Sequence, residues 1–361
     1  MPHSFPVKRI LLFLLAIALA PRLVAQCTVQ LRYESGQLRW NAVPGASGYQ
    51  IQESTDDLAT SRNFFVRGSV TSFAVNHRAS RPMKMKYRVV APYLASVQAA
   101  GFVTPSFDAC TGELEIELPA DPDFRALTRR AIVPVVGSTP GAQGSRFKTS
   151  LRLIATAGNQ RGRIVFHPAG RSAAPSDPSL PYRFNVTNES LAIDDVVAEL
   201  GQSGLGSLDV VPDDDTEGTL PRIEARLFND TDLGTFGSFA PVVFPYDYLR
   251  PAGTVIDVPD ARFRLNLGIR TLTATNVQVL IHGRDGRLRL FKDLSFPAEY
   301  VTLTAAAQFL GTTIAAGDSL TLIPNGSAIV FHTVTENRTN DPTLVVAPAR
   351  GTPNNVGGYI D

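Results

Sequence analysis

Residues 146–167 read RFKTSLRLIATAGNQRGRIVFH, and residues 262–282 read RFRLNLGIRTLTATNVQVLIH, the same pattern with one residue skipped. Three more blocks recur in the same order. LAIDDVVAELG (191–201) matches VTLTAAAQFLG (301–311), and GSLDVV (206–211) matches DSLTLI (318–323). More loosely, IEARLFND (223–230) matches AIVFHTVTEN (328–337). Four similar blocks in a fixed order mark a tandem duplication. Within each copy the apolar residues alternate. Phe147, Thr149, Leu151 and Leu153 share one face, as do Val277, Val279 and Ile281, which is the period of a half-buried strand. One block breaks that period. DDVVAELG and TAAAQFLG have helical composition and end in glycine, so each predicts a short helix with a glycine stop.

The stretch upstream of the repeats behaves differently. TVQLRYE, QLRWNAV, GYQIQES, NFFVRGS, SFAVNH, MKYRVVAPY and QAAGFVTPS are seven short runs separated by Gly, Pro, Ser, Asn and Asp. Strand spacing of this kind predicts a β-sandwich. In RWNAVPGASGYQIQES, Leu38 and Trp40 point to one face. The Pro-Gly turn reverses the chain, and Tyr49 and Ile51 point inward on the next strand. Leu38 and Trp40, the VPGASGY loop (43–49), and Tyr87, Arg88, Val89 and Ala91 resemble the fibronectin type III family. The resemblance covers residues 27 to about 106. It implies a spacer or binding scaffold and no particular ligand. No RGD loop accompanies it, since residues 283–286 read GRDG.

The expected architecture is therefore all-β. A fibronectin type III-like sandwich (26–108) is followed by two immunoglobulin-like β-sandwich repeats, 109–250 and 251–349, each with a short helical turn. ELEIELP serves as a strand linking the first domain to the repeats. A turn-rich tail (350–361) is expected to be loose. The repeat region resembles paired sandwich modules of large exported bacterial proteins, a likeness that implies no activity.

Residues 1–25 carry Lys8 and Arg9, then the apolar run ILLFLLAIALA, then small residues up to Ala25. This is the pattern of a cleaved signal peptide, and the apolar run is too short to span a bilayer. The expected location is secreted or cell-surface, with no membrane span after cleavage. Residues 1–25 hold three basic residues and no acid. The remaining chain has 31 basic against 33 acidic residues, a net of −2. A near-neutral, mixed surface gives no electrostatic basis for a nucleic-acid partner.

An even cysteine count in an exported chain permits a disulfide between Cys27 and Cys110. Seven alternating strands would leave these residues at opposite poles. Either the chain after Thr104 folds back, or the two are not partners.

Several stretches carry residues of catalytic or metal-binding type. GDSL (317–320) is similar to the nucleophile block of GDSL hydrolases, with Ser319 in the nucleophile's place. That family places the block near the N-terminus, between strand and helix, with a later D-x-x-H. Here it is near the C-terminus, SLTLIP alternates like a strand, and no D-x-x-H follows. GQSGLG (201–206) departs from G-x-S-x-G at Leu205 and reads as a tight glycine loop. His77, His167, His282 and His332 lack metal-ligand spacing. In VPDDDTEG, the adjacent Asp213, Asp214 and Asp215, with Glu217, cannot all converge on one calcium ion, so the loop reads as a solvated hairpin tip. No catalytic residue, cofactor or metal is therefore expected.

Sequons occur at Asn185, Asn188, Asn229, Asn325 and Asn337. Tyr246 and Tyr248, in FPYDYLRP, read as packing for an interdomain joint, with a carbohydrate platform as the other reading. The expected function is non-catalytic binding, adhesion or structure at the cell surface or outside it. The partner would be a surface protein or polysaccharide. The alternatives are a GDSL-type hydrolase and an accessory subunit of an exported enzyme.

Overall fold

The computed structural model describes residues 28–59, 61–75, 82–95, 106–120, 129–141, 144–213, 219–232, 234–249 and 253–348. Expectations placed on residues 1–25, Cys27, His77 and the tail 350–361 lie outside the described residues. Within them the chain is all-β, built of antiparallel sheets packed as sandwiches.

The first module contains β1 (Leu31–Glu34), β2 (Gln37–Trp40), β3 (Gly48–Ser54), β4 (Arg62–Arg67), β5 (Ser72–Ala74), β6 (Met83–Ala95) and β7 (Ser106–Leu118). The sheet β1-β2-β5 faces the sheet β4-β3-β6-β7. Leu38, Trp40, Tyr49, Ile51, Tyr87, Val89 and Ala91 fill the space between them, as their alternation predicts. Trp40 and Tyr49 meet edge to face with ring centroids 5.4 Å apart. The Tyr49 hydroxyl accepts the Val43 N–H at 2.8 Å, so the tyrosine ties down the loop that leads into its own strand.

Two expectations change here. ELEIEL is no linker. It is the second half of β7, paired with β6 from Met83↔Leu118 to Ala95↔Ser106. The boundary expected at 108/109 therefore lies inside a strand, and the first module runs to Leu118. The reason is length: β6 has 13 residues, and a partner ending near Ser106 would leave most of its edge unpaired. The expected seventh strand, QAAGFVTPS, lies almost wholly outside the described residues. β7 also meets the segment that follows Cys27. Thr28 and Thr111, each following a cysteine, form a parallel bridge, and the Val29 N–H donates to the Thr111 carbonyl at 3.2 Å. Cys110 is buried and disulfide-bonded.

The second module holds β8 (Ala131–Pro140), β9 (Arg146–Ile154), β10 (Gln160–Pro168), β11 (Arg171–Ser172), β12 (Ser179–Phe184), β13 (Ser190–Ile193), α1 (Val196–Glu199), β14 (Gly204–Pro212), β15 (Arg222–Thr231) and β16 (Gly234–Ala240). The third holds β17 (Thr254–Asp257), β18 (Phe263–Thr271), β19 (Thr275–His282), β20 (Leu288–Phe296), β21 (Tyr300–Ala305), α2 (Ala306–Leu310), β22 (Ser319–Pro324), β23 (Ala328–Glu336) and β24 (Pro342–Val346). Their pairings repeat. β10 lies between β12 and β14 as β19 lies between β20 and β22. β9 lies between β13 and β15 as β18 lies between β21 and β23. Even the register agrees, with His167 opposite Ser207 and His282 opposite Ser319. Both predicted helices form. The Asp195 carboxylate accepts the Ala198 N–H at the start of α1, and α2 ends on Gly311 in the left-handed region.

The third module lies between the other two, so the order in space is first, third, second. Leu280 and Ile323, on its β17-β22-β19-β20 sheet, join the first module's core. The Gln278 side-chain amide accepts the Phe65 N–H at 2.7 Å and donates back to the Phe65 carbonyl, which covers the free edge of β4. Arg62 donates to the Pro324 carbonyl. On the opposite side, Leu272, Ile329, Phe331 and Leu344 join the second module's core. β11 of the second module extends the third module's sheet by pairing with β21. A module covered on both sides needs apolar residues on both faces of its strands. That is why VQVLI in β19 is continuously buried instead of alternating.

Candidate functional site

Two polar constellations stand out, one buried and one open. The buried one lies at the joint between the second and third modules. Arg130 and Asp209 come from the second module, Arg270 and Glu299 from the third. Arg130 reaches Asp209 at 2.8 Å and Glu299 at 2.7 Å. Arg270 reaches Glu299 at 2.6 Å and Asp209 at 3.4 Å. The four charges form a closed ring of alternating sign, and each arginine bridges both modules. Arg270 is fully buried and also donates to the Thr271 carbonyl. The duplication makes the joint's origin visible. By register, Arg270 stands where the second module has Ile154, and Asp209 where the third has Thr321.

His167 extends the ring. Its Nδ1 lies 2.5 Å from Asp177, which also binds Arg171 and the Ala174 N–H. Its Nε2 lies 3.1 Å from Asp209, at ion-pair distance without hydrogen-bond alignment. Burial pulls the His167 pKa down, but Asp209 and Asp177 outweigh it and hold it above the ordinary value of 6.5. When protonated, His167 has a carboxylate beside each nitrogen and no lone pair to act as a base. Burial pushes the Asp209 carboxyl up, yet Arg130 and Arg270 pull it well below the usual carboxylate range. Asp177 is likewise lowered, its burial outweighed by His167, the Ala174 N–H and Arg171.

A stability window follows. The contribution of His167 is complete below the unfolded imidazole value and is lost as pH rises through the higher folded value. The contributions of Asp209 and Asp177 are present above the unfolded carboxylate value of 3.8 and are lost as pH falls. The contribution of this ion cluster is expected to be greatest between about pH 4 and 6.5, while His332, whose pKa burial holds below the ordinary value, acts in the opposite sense as pH falls below about 6.5. His167→Gln is expected to flatten the decline on the alkaline side. An identical pH dependence of melting in the parent protein and in His167→Gln would show that His167 is not charged in the folded state.

The open constellation lies on the outer face of the strands β13, β9, β15 and β16. A groove of about 250 Å³ runs there, lined by Ser150, Arg152, Asp194, Glu224, Arg226 and Phe239 among others. Cross-strand register arranges these residues. Ser150 faces Arg226, which faces Phe239, and Arg152 faces Glu224. Asp194 follows β13 beside Ser150. Three inter-strand steps of about 4.8 Å make such a row roughly 14 Å long. Phe239 is 72% exposed. Glu224 is paired with Arg222 at 3.1 Å. Arg226 lies over the Phe228 ring and donates to Thr235. Arg152 has no ion pair or hydrogen bond among the described residues.

The same face of the third module is covered. Where the second module has Arg152, Glu224 and Arg222, the third has Gly268, Phe331 and Ile329. Phe331 lies flat on Gly268, where even a Cβ would come within 2.2 Å of the ring. One copy of this face is interior and the other is a polar surface.

The residues singled out from sequence fall in different places. Ser319 is the first residue of β22, not part of a strand-to-helix turn, and its hydroxyl makes no hydrogen bond to an imidazole among the described residues. Gly201 and Gly204 both take positive φ, as the tight-loop reading of GQSGLG requires. Asp213 lies 3.6 Å from Arg161, and residues 214–218 lie outside the described residues. No cluster of three or more metal-ligating side chains occurs among the described residues. Tyr248 is buried at the joint and donates to the Ala347 carbonyl at 2.9 Å, while the Tyr246 side chain lies outside the described residues. Asn229 and Asn325 are buried and hydrogen-bonded, which leaves no room for a glycan there. Asn185 and Asn188 are exposed. No helix among the described residues is long and apolar enough to cross a membrane.

Sequence reasoning missed Phe239, Arg152 and the whole ion ring. The signal lay in the differences between the repeats, at Arg152 against Gly268 and Ile154 against Arg270.

Neither the protein-family models nor the curated proteins yield a match to the chain. Among solved structures, an alpha-L-rhamnosidase from Streptomyces avermitilis, complexed with L-rhamnose, aligns at 11% identity and a TM-score of 0.16. The alignment covers 89% of this chain and 40% of that one. A likeness so slight carries no argument about fold or activity.

Proposed function

We propose that the protein is an exported, non-catalytic binding protein whose contact surface is the open face of β13, β9, β15 and β16. The observation that carries this reading is the contrast between the copies. The third module's equivalent face is buried, with Gly268, Phe331, Ile329 and the ion-paired Arg270 in it, whereas the second module's is charged, grooved and topped by an exposed aromatic ring. Exposed aromatic and arginine side chains on a rigid sheet are the residues that anchor recognition surfaces. The signal-like residues 1–25 and the disulfide at Cys110 support export. The first module's three-on-four sheets, with Trp40 on β2 and Tyr87 on β6, support a fibronectin type III-like scaffold, and the two repeats are read as immunoglobulin-like. Fixing both outer modules to the third would give the open face a rigid mount.

The test is a pull-down. Residues 26–361 are immobilised and exposed to envelope and extracellular fractions of the source organism, beside a Phe239→Ser variant. Retention of a defined polymer or protein, lost in the variant, is the expected result. Equal retention by both would move the contact surface elsewhere. No retention by either would make the protein a passive structural module.

A further inference from the structure

The geometry points to a uronic-acid-bearing polysaccharide as the ligand of the open groove, with a sugar carboxylate on Arg152. This rests on the binding reading above and narrows it to a substrate class.

Three features converge. The first is charge. Among the groove's charged side chains, Glu224 is paired with Arg222, Arg226 is partly engaged by Thr235, and Asp194 is one unpaired carboxylate against the two arginines Arg152 and Arg226. Arg152 is left with its five donors uncommitted among the described residues, and Arg226 lies one row away on the neighbouring strand. A guanidinium in this position matches a planar carboxylate, which it can hold through two parallel N–H donors. The second is the Phe239 ring, 72% exposed at the groove's end. It offers an apolar plate to the C–H face of a sugar ring, and it does not require an aromatic partner. The third is the set of acceptors. Asp194 has no partner among the described residues and can accept from sugar hydroxyls, as can the Ser150 hydroxyl. A hexuronate polymer carries all three complements on neighbouring residues: carboxylates, hydroxyls and apolar ring faces. A neutral sugar lacks the first, and an acidic peptide lacks the other two. A row of roughly 14 Å is longer than one sugar ring, which suits a polymer lying across the strands.

The experiment measures affinity of residues 26–361 for three soluble polymers: polygalacturonate, its fully methyl-esterified form, and poly-L-glutamate. The expected result is binding to polygalacturonate that is lost on esterification and absent for poly-L-glutamate. Arg152→Gln is expected to weaken it at least tenfold, with thermal melting unchanged because the side chain is exposed. Equal binding of the esterified polymer would overturn the carboxylate assignment while leaving saccharide binding in place. Equal binding of poly-L-glutamate would overturn the sugar assignment. Absence of binding to all three would overturn the uronate proposal. The fraction pull-down with Phe239→Ser would then decide separately whether the face binds anything.

Discussion

Arg270→Leu is expected to destabilise the protein by about 3–5 kcal/mol, the usual cost of deleting one member of a buried charge network. The leucine removes the contacts to Asp209, Glu299 and the Thr271 carbonyl, and it leaves two carboxylates facing each other across the joint with one bridging arginine between them. Arg270→Lys recovers little, because a single ammonium cannot reach three acceptors in one plane. Replacing Arg130, Asp209, Arg270 and Glu299 together by apolar residues of similar volume is expected to restore most of the loss, since only His167 then loses a partner and Asp177 still holds it. Urea unfolding of all three variants is the check. A loss below about 1 kcal/mol for Arg270→Leu would mean that the ring does not hold the modules together.

The second large effect belongs to the disulfide at Cys110. Pairing with Cys27, the chain's other cysteine, would close a loop of more than 80 residues. In the chain-entropy picture such a crosslink is worth about 4–5 kcal/mol. Cys110→Ser is expected to lower the first module's unfolding free energy by about that amount, read by urea unfolding. Reductant should do the same to the parent protein. Alkylation of the unfolded, unreduced protein is expected to leave both cysteines unlabelled. Labelling of both, with melting unaffected by reductant, would show that the cysteines do not pair. The bridge from Thr28 to Thr111 would then hold the leading segment without covalent help.

The fold was largely legible because its signals are local. Period-two alternation set Leu38, Trp40, Tyr49 and Ile51 inward, and the same pairing partners follow from the repeated blocks. Glycine at 201 and 311 marked where each short helix stops. The boundary near residue 108 was misjudged because strand pairing is not local. Nothing within ELEIEL says that its partner is β6, some 30 residues earlier, and an alternating strand reads the same as linker or as edge. Arg270 was unreadable for a related reason. In sequence it is one arginine in an alternating strand. Its role depends on Asp209, 61 residues earlier, on an element that pairs with none of its neighbours.

By itself, the sequence determined the all-β class, the duplication, the short helices, the inward residues of the first module and the strand start at Ser319. The duplication is legible from blocks more than 100 residues apart, and the others are settled by steric and solvation preferences within about ten residues of chain. Tertiary structure alone decided which faces are covered, and so which of two equivalent sheet faces is open. It placed the third module between the others, buried Phe331 against Gly268, and left Arg152 and Phe239 in solvent. Burial of a face depends on what packs against it from elsewhere in the chain, and a strand's own residues encode only its readiness to be covered.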